Sequence, residues 1–147
     1  MDRSQMEMYM RTAQLEGRKA LPDCLPNPPV GCVIVRGEAI IARGYTQAPG
    51  QPHAEALALS QLRGDETDLH VFVTLEPCSF QGRTPSCARA ITRYDVATVY
   101  IGLIDPHPRN RGAGIDILKA ANIPVVLDVL AEELREDLGP YLIHKTD

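Results

Sequence analysis

The sequence predicts an α/β fold with a mixed β-sheet. Two features predict it: an apolar β-hairpin early in the chain, and an alternation of strand and helix patterns after that hairpin. Strands joined through a helix usually lie parallel in one sheet, so we expect the later strands to be parallel. The length of 147 residues fits one compact domain, and we expect residues 1–147 to form a single domain.

The first part of the chain contains a helix, a loop and the hairpin. Apolar side chains in residues 2–20 recur at spacings near three and four, which predicts an amphipathic helix facing a core. These side chains are Met6, Tyr9, Met10, Ala13 and Leu15. Closely spaced prolines make residues 21–29 a loop. Two apolar runs at residues 30–35 and 39–42 then flank a short turn, as in a hairpin.

The rest of the chain alternates helices and strands. A helix rich in Ala and Leu follows Pro52, and Ser86 is suited to cap the next helix. The expected helices cover residues 2–20, 53–62, 87–94, 115–121 and 131–138. The expected strands cover residues 30–35, 39–42, 69–75, 97–103 and 123–127. Ligand sites in such folds lie at loops that leave the carboxyl ends of parallel strands, here residues 76–87 and 105–111.

Composition narrows the range of partners. A net charge of -4 disfavours nonspecific binding to a polyanion, so we expect a small-molecule substrate and no nucleic acid polymer. No apolar run approaches the roughly 20 residues that cross a bilayer, and no signal-type stretch follows Met1. We therefore expect a cytoplasmic protein without a membrane partner. Four irregularly spaced cysteines then indicate metal ligands or buried thiols rather than disulfides.

Three side chains of types that bind metals lie at the ends of predicted helices and strands. His53 opens a predicted helix, Cys78 follows a predicted strand, and Cys87 opens the next helix. One imidazole and two thiolates give Zn²⁺ three ligands and leave a fourth tetrahedral position open, as in catalytic sites. Glu55 lies two residues beyond His53, where a carboxylate that is not a ligand could transfer protons. The pattern predicts a zinc-dependent hydrolytic deaminase, with Glu55 as its catalytic residue.

The order of these residues is that of nucleobase deaminases, but one spacing differs. Their signature has two residues between the cysteines, whereas residues 79–86 separate Cys78 from Cys87 here. The longer gap argues against deaminases of tRNA and other polynucleotides. It leaves the metal site possible, since a loop can return the chain at modest entropic cost. A structural zinc would need a fourth protein ligand, for which the candidates are Cys24, Cys32 and His70. Of these, Cys32 lies in an apolar strand and is better explained as buried packing.

Several stretches of the chain resemble one known family, the deaminase half of the bacterial bifunctional riboflavin-biosynthesis enzyme, diaminohydroxyphosphoribosylaminopyrimidine deaminase. The matching stretches are residues 26–35, 50–55, 74–79 and 82–87, with Asp105-Pro106, Gly112 and Gly114. The Gly-Arg-Thr-Pro-Ser-Cys piece accounts for the long gap between the cysteines. The resemblance implies a cytidine deaminase-like fold, a three-layer α/β/α sandwich around a five-stranded mixed sheet. It also supports the zinc ligands and Glu55, and suggests a homodimer or larger assembly.

The resemblance also suggests residues that contact the substrate. Asn27 would lie beside a heterocycle, where its amide can both donate and accept hydrogen bonds. The alternative is a loop asparagine bonded to its own backbone. Arg83, Arg109 and Arg111 lie on the two expected site loops and could hold a phosphate group. They could equally be solvated surface residues.

Three positions depart from the family pattern. Thr46 and Phe80 stand where the family usually has His, and His107 stands where it has Asn. We expect a more apolar pocket with fewer hydrogen bonds to a sugar or phosphate, unless Thr46 and Phe80 face away from it. The family's linker to its reductase domain would begin near Tyr141, so we expect no NADPH-dependent step.

These observations lead to one main hypothesis and two rivals. The main hypothesis is zinc-dependent hydrolytic removal of an exocyclic amine from a pyrimidine-type heterocycle. The first rival is a deaminase of another nucleobase, nucleoside or pterin-like compound. The second is a zinc-stabilised binding module without catalysis, which the presence of Glu55 disfavours because a structural site has no use for that carboxylate.

Overall fold

A five-stranded sheet in the order β2-β1-β3-β4-β5 forms the centre of the computed structural model, which describes residues 1–82 and 84–142. The helices are α1 (Arg3–Arg18), α2 (Ala54–Leu59), α3 (Cys87–Ile91), α4 (Ala113–Ala120) and α5 (Ala131–Leu142). The strands are β1 (Gly31–Arg36), β2 (Ala39–Tyr45), β3 (Leu69–Leu75), β4 (Val96–Leu103) and β5 (Val125–Val126).

The sheet is mixed, as the sequence predicts. Strand β1 pairs antiparallel with both β2 and β3. Strands β3, β4 and β5 are parallel to one another. Helices α1 and α5 cover one face, where Arg11 of α1 pairs with Glu133 of α5, and α2, α3 and α4 form a row of contacting helices on the other. This arrangement confirms the three-layer α/β/α sandwich.

Glycines let two helices lie directly on the sheet. A Cβ atom at Gly31 would collide with the backbone carbonyl of Ala13 in α1, and one at Gly44 would collide with that of Ala54 in α2. Only glycine permits such an approach of backbone to backbone. Because Ala54 is the first residue of α2, the contact with Gly44 also fixes the position of His53, which caps that helix.

The core lies between the sheet and its two helical layers. Strands β1 and β3 are buried along almost their whole length, as expected for strands covered on both faces. Rings of Tyr9, Phe72 and Tyr100 pack together, with Phe72 and Tyr100 stacked at a centroid distance of 4.1 Å. In the described ranges, no helix combines the length and the apolar character needed to cross a membrane.

Some sequence-based expectations were wrong in detail. Leu15 was expected to face the core, but it is 56% exposed because it lies two residues beyond Ala13, on the opposite side of α1. Helix α2 ends at Leu59 rather than residue 62, since a tight turn follows it. Strand β5 has only two residues, and α5 continues through Pro140 to Leu142 instead of ending at residue 138.

Candidate metal centre and substrate cavity

The three predicted metal ligands converge at one end of the sheet. His53 caps α2, Cys78 lies just beyond β3, and Cys87 is the first residue of α3. Their ligand atoms all lie within 4.8 Å of one another. The Nδ1 atom of His53 is 3.7 Å from the sulfur of Cys78 and 3.4 Å from that of Cys87. Residues far apart in sequence thus form one compact donor group.

The other ring nitrogen of His53 has a polar partner. Its Nε2 atom lies 3.0 Å from the hydroxyl of Thr84, in the loop between the two cysteines. A metal on Nδ1 requires the ring proton to be on Nε2, from which it would be donated to Thr84. Such partners fix the tautomer and orientation of a metal-binding imidazole.

The loop between the cysteines closes on itself. Ser86 caps α3 by accepting a hydrogen bond from the backbone N–H of Arg89, and its hydroxyl donates to the carbonyl of Cys78 at 2.8 Å. The backbone N–H groups of Ala88 and Cys87 donate to the carbonyl and the sulfur of Cys78, respectively. These bonds explain how eight intervening residues still return Cys87 to Cys78.

The two thiols of the site titrate very differently in the metal-free protein. Hydrogen bonds from Cys87 and His53 lower the pKa of Cys78 to about 4, against the effect of burial. The hydrogen bond to Cys78, burial and the nearby charge of Glu55 raise the pKa of Cys87. Near neutral pH, Cys78 is therefore a thiolate and Cys87 a thiol, and the proton between them is the one that a bound divalent metal would displace. Two sulfurs and one imidazole nitrogen fit zinc and leave room for a further ligand.

The candidates for a fourth protein ligand lie outside this group. Within the described ranges, the only group of three or more His, Cys, Asp or Glu side chains close enough to share a metal consists of His53, Cys78 and Cys87. Cys24 and Cys32 are fully buried, and burial raises the pKa of both thiols. His70 instead lies 2.8 Å from the hydroxyl of Tyr100. The site thus has the composition of a three-ligand centre.

A cavity of about 520 Å³ opens beside the donor group. His53, Cys78 and Glu55 line it together. Glu55 lies in the first turn of α2, is only 4% exposed and is not part of the donor group. A buried carboxylate in the cavity beside these three donor atoms is well placed for proton transfer. Residues of the segment 26–30 and of the loop after β4 also line the cavity.

The remaining predicted site residues divide into two sets. Those that line the cavity are Asn27, Thr46, Phe80 and Arg109, whereas His107 and Arg111 do not belong to its lining and Arg83 lies outside the described residues. The hydroxyl of Thr46 accepts a hydrogen bond from the N–H of Val30 and donates one to its carbonyl. The guanidinium of Arg109 stacks 4.4 Å from the centre of the Phe80 ring. His107 accepts a hydrogen bond from the backbone N–H of Arg109.

Sequence reasoning assigned no role to two buried carboxylates that line the cavity, Glu76 and Asp105. Glu76 accepts hydrogen bonds from the backbone N–H groups of Asp105, Gly112 and Ile115, at 3.1 to 3.2 Å. Burial raises the pKa of Glu76, and these bonds act to lower it. Asp105 is 1% exposed, lines the cavity and accepts a hydrogen bond from the N–H of His107. Their location within two residues of the ends of β3 and β4, at the carboxyl ends of parallel strands, was the available signal.

Comparison with known proteins agrees with this geometry. The family described as the cytidine and deoxycytidylate deaminase zinc-binding region matches residues 3–103. The riboflavin biosynthesis protein RibD of Chlamydia trachomatis is 43% identical over 141 residues, 96% of this chain and 38% of that protein.

Two solved structures show the same fold. The diaminohydroxyphosphoribosylaminopyrimidine deaminase/5-amino-6-(5-phosphoribosylamino)uracil reductase of Thermotoga maritima superposes with a TM-score of 0.90 at 35% identity, covering 97% of this chain and 41% of that one. The dCMP deaminase of cyanophage S-TIM5 superposes with a TM-score of 0.68 at 26% identity, covering 86% of this chain and 99% of that one. The chain spans about 38% of the length of the Chlamydia RibD protein. It belongs to the cytidine and deoxycytidylate deaminase zinc-binding family.

Proposed function

We propose that this chain is a zinc-dependent hydrolytic deaminase that acts on an aminopyrimidine of the riboflavin-precursor type. The observation that carries the proposal is the convergence of His53, Cys78 and Cys87 beside a cavity that also contains the buried Glu55. Family membership and the 43% identity to a riboflavin biosynthesis protein support it. Zinc, when held by these three residues, supplies a Lewis acid that lowers the pKa of water towards neutrality.

The proposed reaction exchanges an amine for an oxygen. Water attacks the ring carbon that bears the exocyclic amine, a C–O bond forms, the C–N bond breaks, and ammonia leaves. Glu55 accepts the protons that water loses and delivers them first to the ring nitrogen and then to the departing amine. Its burial in the cavity wall keeps bulk water from competing for these protons.

The cavity wall offers groups for a heterocycle and for an anion. Asn27 can pair with a heterocycle edge, because an amide both donates and accepts. Arg109 is the described arginine that lines the cavity, and its guanidinium lies over the Phe80 ring in a cation–π contact. We propose that Arg109 contacts an anionic substituent such as a ribosyl phosphate, and that Arg83, in the loop between the two cysteines, contributes to the same interaction. Arg111 does not line the cavity, and we assign it no contact with the substrate. The hydroxyl of Thr46 is bonded to the backbone, so we expect it to shape the wall rather than to bind substrate directly.

The apolar side chain of Phe80 is also compatible with a second class of substrate, heterocycles that lack a ribosyl phosphate. A pocket with fewer polar partners discriminates weakly between related ligands. A heterocycle with a smaller or absent ribosyl phosphate would then react as well as the phosphorylated precursor. Following the family resemblance, we also propose a homodimer or larger assembly, which light scattering would test.

Metal analysis followed by an ammonia-release assay tests the proposal. The substrates are the phosphorylated diaminopyrimidine precursor, its dephosphorylated form, the free base, dCMP and a pterin. We expect about one zinc per chain and the highest kcat/KM with a diaminopyrimidine. Arg109→Ala should raise KM for the phosphorylated compound more than for the free base. Full zinc loading without ammonia release from any of these compounds would contradict the deaminase assignment and favour a binding module.

A further inference from the structure

Asn110 holds the chain on both sides of a metal ligand. It lies in the loop between β4 and α4 and is only 1% exposed. Its Oδ1 atom accepts a hydrogen bond from the backbone N–H of Ser79 at 2.9 Å, and its Nδ2 donates to the carbonyl of Pro77 at 3.2 Å. Ser79 and Pro77 are the residues directly after and before Cys78. The two bonds therefore fix the backbone that carries this ligand.

The same amide is bonded to a residue that lines the cavity. Its Nδ2 donates a second hydrogen bond to Oδ2 of Asp105 at 3.2 Å, and Asp105 lines the cavity. The three partners determine the orientation of the amide. The backbone N–H of Ser79 requires an acceptor, whereas the carbonyl of Pro77 and the carboxylate of Asp105 require donors. No carboxylate or hydrocarbon side chain can satisfy all three partners. An amide at residue 110 thus links the metal-binding loop to a buried carboxylate of the cavity.

The loop that carries Cys78 and the loop that carries Asn110 are also held together by other contacts. Glu76, two residues before Cys78, accepts further hydrogen bonds from the backbone N–H groups of Asp105 and Gly112. A Cβ atom at Gly114 would collide with the carbonyl of Pro77, so α4 lies directly against the metal-binding loop. Loss of the amide would leave the partly buried N–H of Ser79 and the buried carbonyl of Pro77 without this partner, which is energetically unfavourable. The loop that carries Cys78 could recover hydrogen bonds to water only by moving.

We propose that Asn110 is a positioning residue that couples retention of the metal to placement of the substrate. It does so by joining the backbone around Cys78 to the carboxylate of Asp105. The inference rests on the proposed zinc site, but its main test does not require turnover. Residues that orient metal ligands without touching the metal commonly change metal affinity or activity by 10 to 100-fold when replaced.

Two variants remove the amide in different ways. Asn110→Leu removes all three hydrogen bonds and keeps the number and branching of the side-chain heavy atoms. Asn110→Asp keeps the shape and can still accept from Ser79, but it cannot donate to Pro77 and brings a carboxylate against Asp105. Leu138→Ala is the matched control, because Leu138 is a buried residue of α5, which contributes nothing to the cavity lining. This control lowers global stability without touching the site.

The primary readout is the rate at which the zinc-loaded protein loses zinc to a chromogenic chelator, measured well below each unfolding temperature. We expect both Asn110 variants to lose zinc roughly 10 to 100 times faster than the parent, and Leu138→Ala to match the parent. The backbone N–H of Ser79 should also exchange faster with solvent in Asn110→Leu alone, and KM should rise in both Asn110 variants.

Zinc loss within twofold of the parent in both Asn110 variants, with a fall in unfolding temperature like that of Leu138→Ala, would show that Asn110 is an ordinary buried amide. A parent protein that binds zinc but releases no ammonia would refute the proposed reaction, while the chelator assay would still decide the role of Asn110. A parent that binds no zinc would overturn both.

Discussion

Replacing Glu55 with Gln removes one negative charge from the cavity and keeps the volume of the side chain. Glu55 is 4% exposed and lies outside the donor group, so the variant should fold and bind about one zinc per chain. A positioned general acid/base contributes roughly 100 to 10,000-fold to the rate. At about 1.36 kcal/mol for each factor of ten, this range corresponds to about 2.7 to 5.4 kcal/mol of transition-state stabilisation.

Single-turnover ammonia release, with zinc measured in the same sample, separates the chemical step from metal loss. Glu38→Gln is the control, because Glu38 is an exposed carboxylate in the turn between β1 and β2. This variant should react like the parent. If Glu55→Gln bound zinc fully and reacted within threefold of the parent, another residue would have to transfer the protons. If it lost its zinc, Glu55 would be a ligand rather than a proton carrier.

Three further predictions concern the thiols and the core. Cys87→Ser should lose most of its zinc, whereas Cys24→Ser should retain it; full zinc and full activity in Cys87→Ser would remove Cys87 from the site. In the metal-free protein, iodoacetamide should modify Cys78 at nearly the same rate at pH 6 and pH 8, because its pKa of about 4 keeps it a thiolate at both. An ordinary thiol with a pKa of 9.0 would accelerate roughly a hundredfold over that range, and such a pH dependence would contradict the electrostatics described for this site. Burial raises the pKa of Tyr100, so its contribution to stability is present below the unfolded value near 10 and is lost as pH rises through the folded pKa. The unfolding temperature of Tyr100→Phe should therefore fall less than that of the parent between pH 9 and pH 11, and equal slopes would contradict this reasoning.

The cluster of His53, Cys78 and Cys87 was predictable from the sequence because these residues occupy the ends of predictable elements. His53 and Cys87 open helices and Cys78 follows a strand, and elements in an α/β fold bring such ends together. The structure places these three ligand atoms within 4.8 Å of one another. The mixed sheet was predictable because a hairpin requires antiparallel strands, and strands that alternate with helices usually pair in parallel.

The hydrogen bonds that support this cluster were not predictable from the sequence, although the positions of Glu76 and Asp105 after strands were a signal. Glu76 bonds to backbone groups 29 to 39 residues further along, and Asn110 bonds to residues 31 and 33 positions before it. Every residue type has a backbone carbonyl and nearly every one a backbone N–H, so the sequence does not indicate which of these groups a distant side chain will contact. Only the folded chain shows which loops lie together. The assignment of Leu15 to the core was an error of a different kind, because the spacing of that residue already placed it on the far side of α1.

The most direct test of the proposed activity is a single turnover of the zinc-loaded protein with the diaminopyrimidine precursor in water enriched in oxygen-18. The proposed mechanism predicts one ammonia for each product molecule, and one oxygen-18 atom in each product at the ring carbon that lost its amine. A product without the label, or label uptake without ammonia release, would contradict hydrolytic deamination by this chain.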